Sequence, residues 1–294
     1  MHLTRMQEIT PLEAAESRPF PTGAIVKEAW QICTTYFWPL TMAIFVIGIP
    51  GTILTANIED TRRSFQFNGM YDSLVSGFVM IGVYRIIYLL KSEGRIPTFS
   101  RIYAEGNTYY GRNFRVSFLI GVYFLGIGIV ITLLVLPCWA LVNSSNHALW
   151  SYLTFSISLI AALSLAIWFG IRCMLYRAAL ADNASGARKA VESCMALTKD
   201  RVKSLIPLAM IICSGMLAWL MLITAMYMIY ETAYETPMTK ATEVNLMVVL
   251  DIPLAFWQAF TITALALTYL HLKQNSNPTA NDTPEVPADV TTPV

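Results

Sequence analysis

The chain has 294 residues, 55% of them apolar and only 13% charged, with a formal net charge of +1. Soluble domains carry about 25% charged residues, so this composition, with a mean hydropathy of +0.53, excludes an ordinary soluble globule. The near-neutral balance also excludes the concentrated basic surface of a nucleic-acid binder.

The first 22 residues form a polar arm. It lacks the apolar core of a cleaved signal peptide, so the first span is expected to act as an uncleaved signal. Residues 24–37, AIVKEAWQICTTYF, place Ile25, Ala29, Ile32, Cys33, Tyr36 and Phe37 at helical intervals, with Lys27, Glu28 and Gln31 on the other side. This is the pattern of an amphipathic helix. A spanning helix needs about 20 mainly apolar residues, and Trp38–Ala56 satisfies that. Pro50 and Gly51 fall two-thirds of the way along it, where a proline kinks a helix. Met70–Leu90 is the second span, with Arg85 near its end.

Residues 99–114 form a second amphipathic stretch, with Phe99, Ile102, Tyr103, Gly106, Tyr110 and Phe114 on one face. Gly106 and Gly111 weaken it as a helix. Phe114–Leu136 follows as the third span. Its Gly121, Gly126 and Gly128 suit close approach of a neighbouring helix, as do Gly215 and Ala162 further on. Leu149–Met174 is the fourth span and ends near Arg172. The stretch 187–203 is the third amphipathic helix, with Ala187, Ala190, Val191, Cys194, Met195, Thr198 and Val202 opposite Arg188, Lys189, Glu192, Lys199, Asp200 and Lys203. Leu205–Tyr230 and Val244–Leu270 are the fifth and sixth spans. Asp251 stands in the sixth, just before Pro253 and upstream of Gln258 and Thr261. It is expected to mark the true start of that helix on the outer side, or else to line a shallow pocket. The tail from about Asn275 is rich in Pro, Thr, Asn and Asp and is expected to be disordered.

The fold class is therefore all-α: a polytopic membrane protein of six spans over residues 23–272, with an arm at 1–22 and a tail at 273–294. Continuous apolar runs of this length favour helices over the alternating strands of a barrel. Lys91, Arg95, Arg101, Arg112, Arg115, Arg177, Arg188, Lys189, Lys199, Arg201 and Lys203 fall on one side, against Arg62, Arg63 and Lys240 on the other. The positive-inside rule then places both termini in the cytoplasm, in a multi-pass protein of the cell (inner) membrane. An amphipathic helix before the first, third and fifth spans makes three repeats, about 22–92, 93–175 and 184–272. Each is an interfacial helix followed by a pair of spans.

The stretches GAIVKEAWQICTTYFWPL (23–40) and RCMLYRAALADNASGARKAVESCMALTKDRVKSLIPLA (172–209) resemble the membrane domain of glycerophosphoryl diester phosphodiesterases and similar six-span bacterial proteins. The resemblance implies membrane architecture over 23–272. It carries over no phosphodiesterase catalytic residue, and so does not imply hydrolysis.

Chemistry is sparse. HExxH, GxSxG, a P-loop and a dinucleotide loop do not occur. The five cysteines, Cys33, Cys138, Cys173, Cys194 and Cys213, form no CxxC pair. No cofactor, metal or disulfide framework is expected. Glu59, Asp60 and His147 lack the spacing of an active site, so an enzyme is not the favoured reading. Asp251, Gln258, Thr261, Pro50 and Gly51 form a candidate polar cavity, and Thr224 and Thr263 are further polar groups for a lined route. Arg85 and Arg172, able to snorkel to headgroups, join Arg188, Lys189, Lys199, Arg201 and Lys203 as candidate anionic-lipid contacts. The expected partners are the phospholipid bilayer with its anionic lipids, and a membrane protein or a second copy of this chain. The expected role is structural, membrane-organising or regulatory. The alternative is a transporter or channel-like protein for a small solute or lipid.

Overall fold

The computed structural model describes residues 20–58, 63, 67, 70–144, 149–182, 186–234 and 239–276. Among them six helices are long and apolar enough to cross a membrane, and the chain is an all-α polytopic membrane protein. In order the helices are α1 (Thr22–Thr35), α2 (Phe37–Ala56), α3 (Gly77–Glu93), α4 (Phe99–Ser144), α5 (Leu149–Cys173), α6 (Tyr176–Asp182), α7 (Ala187–Thr198), α8 (Val202–Tyr234) and α9 (Lys240–Ser276). A π-helical turn at Asp72–Ser76 leads into α3. The tail beyond Ser276, the N-terminal arm before Phe20, and Glu59, Asp60 and His147 lie outside the described residues.

Local signals set the boundaries. Gly94 ends α3 in the left-handed region at φ 66°. Its N–H and that of Arg95 bond back to the Leu90 and Leu89 carbonyls, the usual glycine stop. Thr98 Oγ accepts the Arg101 N–H at 3.4 Å to start α4, and Thr239 Oγ accepts the Thr242 N–H at 3.3 Å to start α9. Both follow the N-cap rule.

Three helices are much longer than a hydrocarbon core of about 30 Å. The 46 residues of α4 rise about 69 Å, the 37 of α9 about 56 Å, and the 33 of α8 about 50 Å. Exposed large apolar side chains mark where lipid lies. They run from Phe114 to Trp139 on α4, Tyr152 to Trp168 on α5 and Ile206 to Ile229 on α8, whereas residues 100–113, 175–205 and 250–276 expose none. Phe114, Trp168 and Trp139 at the limits of this band fit an aromatic belt. The stretch of α4 before Phe114 extends past the band at the end that carries Lys91, Arg101, Lys189 and Lys203, here called the basic end. Both ends of the described chain meet there, with Phe20 edge-on to His271 at 5.6 Å.

The core sits in the basic-end half. Leu40, Ile81, Ile86, Ile87, Leu180 and Leu272 are fully enclosed, joining α1, α2, α3, the first half of α4, α6, α7 and α9. The strongest packing is α3 on α4, α2 on α9 and α4 on α5, while α8 touches α9 more lightly. The two closest partnerships, α3 on α4 and α2 on α9, therefore cross the expected repeat boundaries, whereas α4 on α5 stays within one span pair. At the α3–α4 crossing, the backbones meet at Gly82 and Gly106. A Cβ on Gly106 would stand 2.6 Å from the Phe78 carbonyl oxygen, and one on Gly82 closer still to that of Ile102.

Two of the expected amphipathic helices are separate elements. The stripe Ile25, Ala29, Ile32 and Cys33 of α1 is buried along α9, where Cys33 Sγ lies 3.4 Å from Thr263 Oγ and Trp30 packs edge-on to Phe256 at 5.2 Å. On α7 the buried residues are Ala190, Val191, Cys194 and Thr198, and Cys194 Sγ donates to the Arg172 carbonyl at 3.0 Å. Both apolar stripes thus seat on protein. The middle stretch, 99–114, differs: it is continuous with its span in a single helix. Tertiary contact overrides the glycines' weak propensity. Gly106 is the point of helix contact, and buried Asn113 donates from Nδ2 to the Gly77 carbonyl at 3.0 Å.

Candidate functional site

Asp251 is not at a helix start. α9 begins at Lys240, so Asp251 lies eleven residues in, about 16 Å of rise along the helix. The Thr239 cap lets the helix begin earlier, through the polar turn KATE. Asp251 is level with Trp219, whose Nε1–H donates to the Leu250 carbonyl at 3.2 Å. Trp219 stands midway along the exposed apolar run of α8. Ionisable residues at this depth mark functional sites by default.

A cavity of about 410 Å³ surrounds Asp251, walled by α2, α8, α9 and the turn before α3. It reaches from Phe45 and Gln258 toward Ile58 and Met247, away from the basic end. Thr52 Oγ donates to Asp251 Oδ2 at 2.5 Å. Two prolines shape the walls. A proline inside a helix removes the N–H for the carbonyl four residues earlier and crowds that turn. Pro50 acts so on α2 and Pro253 on α9. In each case the carbonyl three residues before the proline takes a donor from another element. Tyr71 Oη donates to Ile47 O at 2.6 Å, and Trp219 to Leu250 O. The two aromatic side chains are thereby fixed in the cavity wall. Gly51 leaves room for the Tyr71 ring, whose Cδ1 would lie 2.6 Å from an added Cβ.

Of the candidate cavity residues, Asp251, Gln258 and Gly51 line this space. Pro50 adjoins it through its effect on α2, and Thr261 stands outside it. Thr263 is buried below, donating to the Ala259 carbonyl at 2.8 Å. Thr224 faces outward on α8 and bonds within its own helix. The cavity ends toward the basic end at Leu40, Ala43, Ala259, Phe260 and Thr263, all buried, with Trp257 packed on Phe260 at 4.9 Å. Trp219, Tyr71 and Thr52 were missed by sequence reasoning. Tyr71 and Trp219 bond carbonyls three residues before a proline, and Thr52 bonds Asp251, pairings visible only once the partner helices are placed.

Arg85 and Arg172 are held by protein. Arg85 donates to the Ala181 carbonyl at 3.0 Å, lies 3.6 Å from Glu105, and stacks over Tyr88 and Tyr109. Arg172 donates to the Met195 carbonyl at 2.7 Å and covers Trp168. They pin α6 and α7 to the bundle. Asp182, at the end of α6, accepts from Tyr269 Oη at 2.9 Å and Lys273 Nζ at 2.6 Å. The buried helix α6, with Ala178, Ala179, Leu180 and Ala181 inside, was also missed by sequence reasoning. Its short YRAALAD carries no separate apolar run. Lys91 pairs with Glu28 of α1. The charges of the third amphipathic stretch are exposed: Arg188 pairs with Glu192 at 2.7 Å, and Lys189, Lys199 and Lys203 face outward beside Arg201.

Outside the spans, burial pushes the Cys33 thiol up to about 11, partly offset by its contact with Thr263. Burial likewise pushes the Cys194 thiol up to about 12. These are inert packing thiols rather than nucleophiles. Among the described residues no group of His, Cys, Asp and Glu is placed to hold a metal ion. No family model matches the sequence, and no curated protein and no solved structure matches it either.

Proposed function

We propose that this chain is a non-catalytic integral membrane protein of regulatory or membrane-organising type, built around a one-ended pocket in the membrane interior. The observation that carries this reading is the position of the cavity. It reaches mid-depth at Asp251 and stops against the packed layer of Leu40, Phe260 and Thr263. A channel requires a lined route on both sides of that layer. The reading retains three related units, each led by a basic-end helix, and a kinship in architecture to the membrane domain of glycerophosphoryl diester phosphodiesterases. It places both termini in the cytoplasm and sets Arg188, Lys189, Lys199, Arg201 and Lys203 against anionic headgroups, each charge contributing about 1 kcal/mol near such a surface.

A transporter is the second reading. Proline-interrupted helices meeting at mid-depth are a feature of transporter binding sites, and Pro50 and Pro253 flank this cavity.

Cysteine accessibility separates the two. Thr52→Cys and Thr263→Cys are placed singly in a chain otherwise free of cysteine, reconstituted in vesicles. The pocket reading expects an impermeant thiol reagent to reach position 52 from one side only, and position 263 from neither. Reaction at 52 from both sides would establish alternating access and overturn it.

A further inference from the structure

We infer that Arg172 and Trp168 form a discrete site for the phosphate of one anionic phospholipid, at the junction of α5 and α7. The inference goes beyond the exposed basic patch proposed above, and shares with it the premise that the basic end faces headgroups. Arg172 is the last residue but one of α5, one turn beyond Trp168 at the limit of the lipid-facing band. A basic side chain there reaches the level of phospholipid phosphates. Its charge is unmet: among the described residues Arg172 forms no ion pair. Nη2 donates to the Met195 carbonyl at 2.7 Å, and the guanidinium lies over the Trp168 ring at 4.9 Å. Nε is buried without an acceptor, whereas Nη1 is neither buried nor bonded. Trp219 and Trp257 give their indole N–H groups to carbonyls. That of exposed Trp168 makes no such bond among the described residues.

The guanidinium is organised before any lipid arrives. The Met195 carbonyl and the Trp168 ring hold it from two sides, so it need not be ordered on binding, which is where much affinity is otherwise lost. A planar guanidinium offers phosphate a fixed set of charged donors. A second cation stands near. Lys199 is four residues on from Met195 and so on the same face of α7; it is exposed and forms no ion pair among the described residues. Arg188, further back on that face, already has Glu192. Two unmet positive charges favour a headgroup that carries net negative charge over a zwitterionic one. The apolar half of the ligand is accommodated as well. Ile160, Leu163 and Ile167 are exposed on α5 beside Trp168, at the spacing of one helix face. An acyl chain lying along them runs from the phosphate into the hydrocarbon, a contact that free phosphate cannot make.

The test is native mass spectrometry of the full chain in mild detergent, counting lipid adducts during titration with dioleoylphosphatidylglycerol. Parallel titrations use dioleoylphosphatidylcholine and dioleoylglycerol, and inorganic phosphate is added as a competitor. The expected result is one phosphatidylglycerol adduct that saturates before the others. Arg172→Gln, which keeps an amide donor for Met195, should weaken it at least tenfold, and Trp168→Leu several-fold. Trp139→Leu, at the far limit of the band, should leave it unchanged. Equal first-adduct affinity of Arg172→Gln, or of phosphatidylcholine or dioleoylglycerol, overturns the proposal. Displacement by inorganic phosphate at similar concentration also overturns it, by marking a free-anion site. Should Arg172→Gln fail to fold, the tryptophan variants decide the matter: equal affinity of Trp168→Leu and Trp139→Leu overturns it. The exposed patch is separable. Arg188→Ala, Lys189→Ala, Arg201→Ala and Lys203→Ala together, with Lys199 kept, should lose later adducts and retain the first. Loss of the first adduct there, with Arg172→Gln unaffected, rejects the discrete site alone. Unchanged later adducts there, with the first lost in Arg172→Gln, reject the patch alone.

Discussion

Gly106→Ala and Gly82→Ala should each destabilise the bundle, although alanine is the better helix former. At Gly106 an added Cβ falls 2.6 Å from the Phe78 carbonyl oxygen, about 0.8 Å short of the 3.4 Å where ordinary contact begins. The obstacle is backbone, so no rotamer change relieves it, and α3 must move from α4. Overpacking of this kind costs about 1–3 kcal/mol. The same shift strains the bond from buried Asn113 to the Gly77 carbonyl, and a buried donor left without its partner costs about 1–3 kcal/mol more. Alanine's propensity returns about 1 kcal/mol. The net loss is about 1–5 kcal/mol.

At roughly 2–4 °C per kcal/mol, the thermal unfolding temperature in mild detergent, followed by tryptophan fluorescence, should fall by roughly 2–20 °C. The double variant should lose less than the sum, since one separation of the helices serves both sites. Gly121→Ala and Gly126→Ala are the controls. Neither has any neighbour within 4 Å, so both should hold or gain slightly. If Gly82→Ala and Gly106→Ala melt at or above the parent while the controls fall, the crossing is not where this argument puts it.

Four further outcomes follow from the same contacts. Arg85→Ala removes the bonds to Ala181 and Glu105 and should lower the melting temperature markedly, with Arg85→Lys recovering part of it, because lysine cannot both stack and donate in two directions. Cys194, whose thiol burial pushes up to about 12 from the usual 9, should resist maleimide at pH 8 until the protein is unfolded, while exposed Cys213 reacts in detergent. The sign of the linkage is that of a raised acid: its contribution to stability is complete below pH 9 and is lost as pH rises from about 9 toward 12, which alkaline melting curves will show. Cysteines introduced at positions 3 and 290 should be closed to an impermeant reagent in intact spheroplasts; modification before lysis would reverse the proposed orientation. Replacing Arg188, Lys189, Lys199, Arg201 and Lys203 by alanine should reduce co-purified anionic lipid, and unchanged lipid content would remove that role.

The spans were legible in the sequence because hydrocarbon imposes one requirement on every residue along about 20 positions. Arg85 shows where this legibility ends. A basic residue near a span end reads as a lipid-facing side chain that snorkels. Here a carbonyl of α6, ninety-six residues along the chain, takes that role, and a sequence carries no sign of so distant an acceptor. The glycines make the same point in reverse. Gly121, Gly126 and Gly128 look like a packing face and meet open space, whereas Gly106, which looked like a weak point, meets the backbone of α3. Small residues permit close approach, but the partner helix decides which of them is used.

Asp251 shows how a local boundary can move a functional assignment. Reading the sixth helix as starting near Asp251 leaves the carboxylate at an aqueous edge, where it costs little and needs no role. The Thr239 cap starts the helix at Lys240 instead and sets the same carboxylate about 16 Å along the helix from its start, level with the middle of the exposed apolar run of α8. The depth turns a cheap surface charge into an expensive interior one, held by Thr52 and faced by aromatic side chains. Thr239→Ala should therefore fray the first turn of α9 at a cost of about 1 kcal/mol without disturbing Asp251, which is anchored independently through Thr52 and the Trp219–Leu250 bond. Hydrogen exchange should rise in residues 240–244 alone. Faster exchange extending to 251 would mean that the cap, rather than the cavity wall, holds the carboxylate at depth.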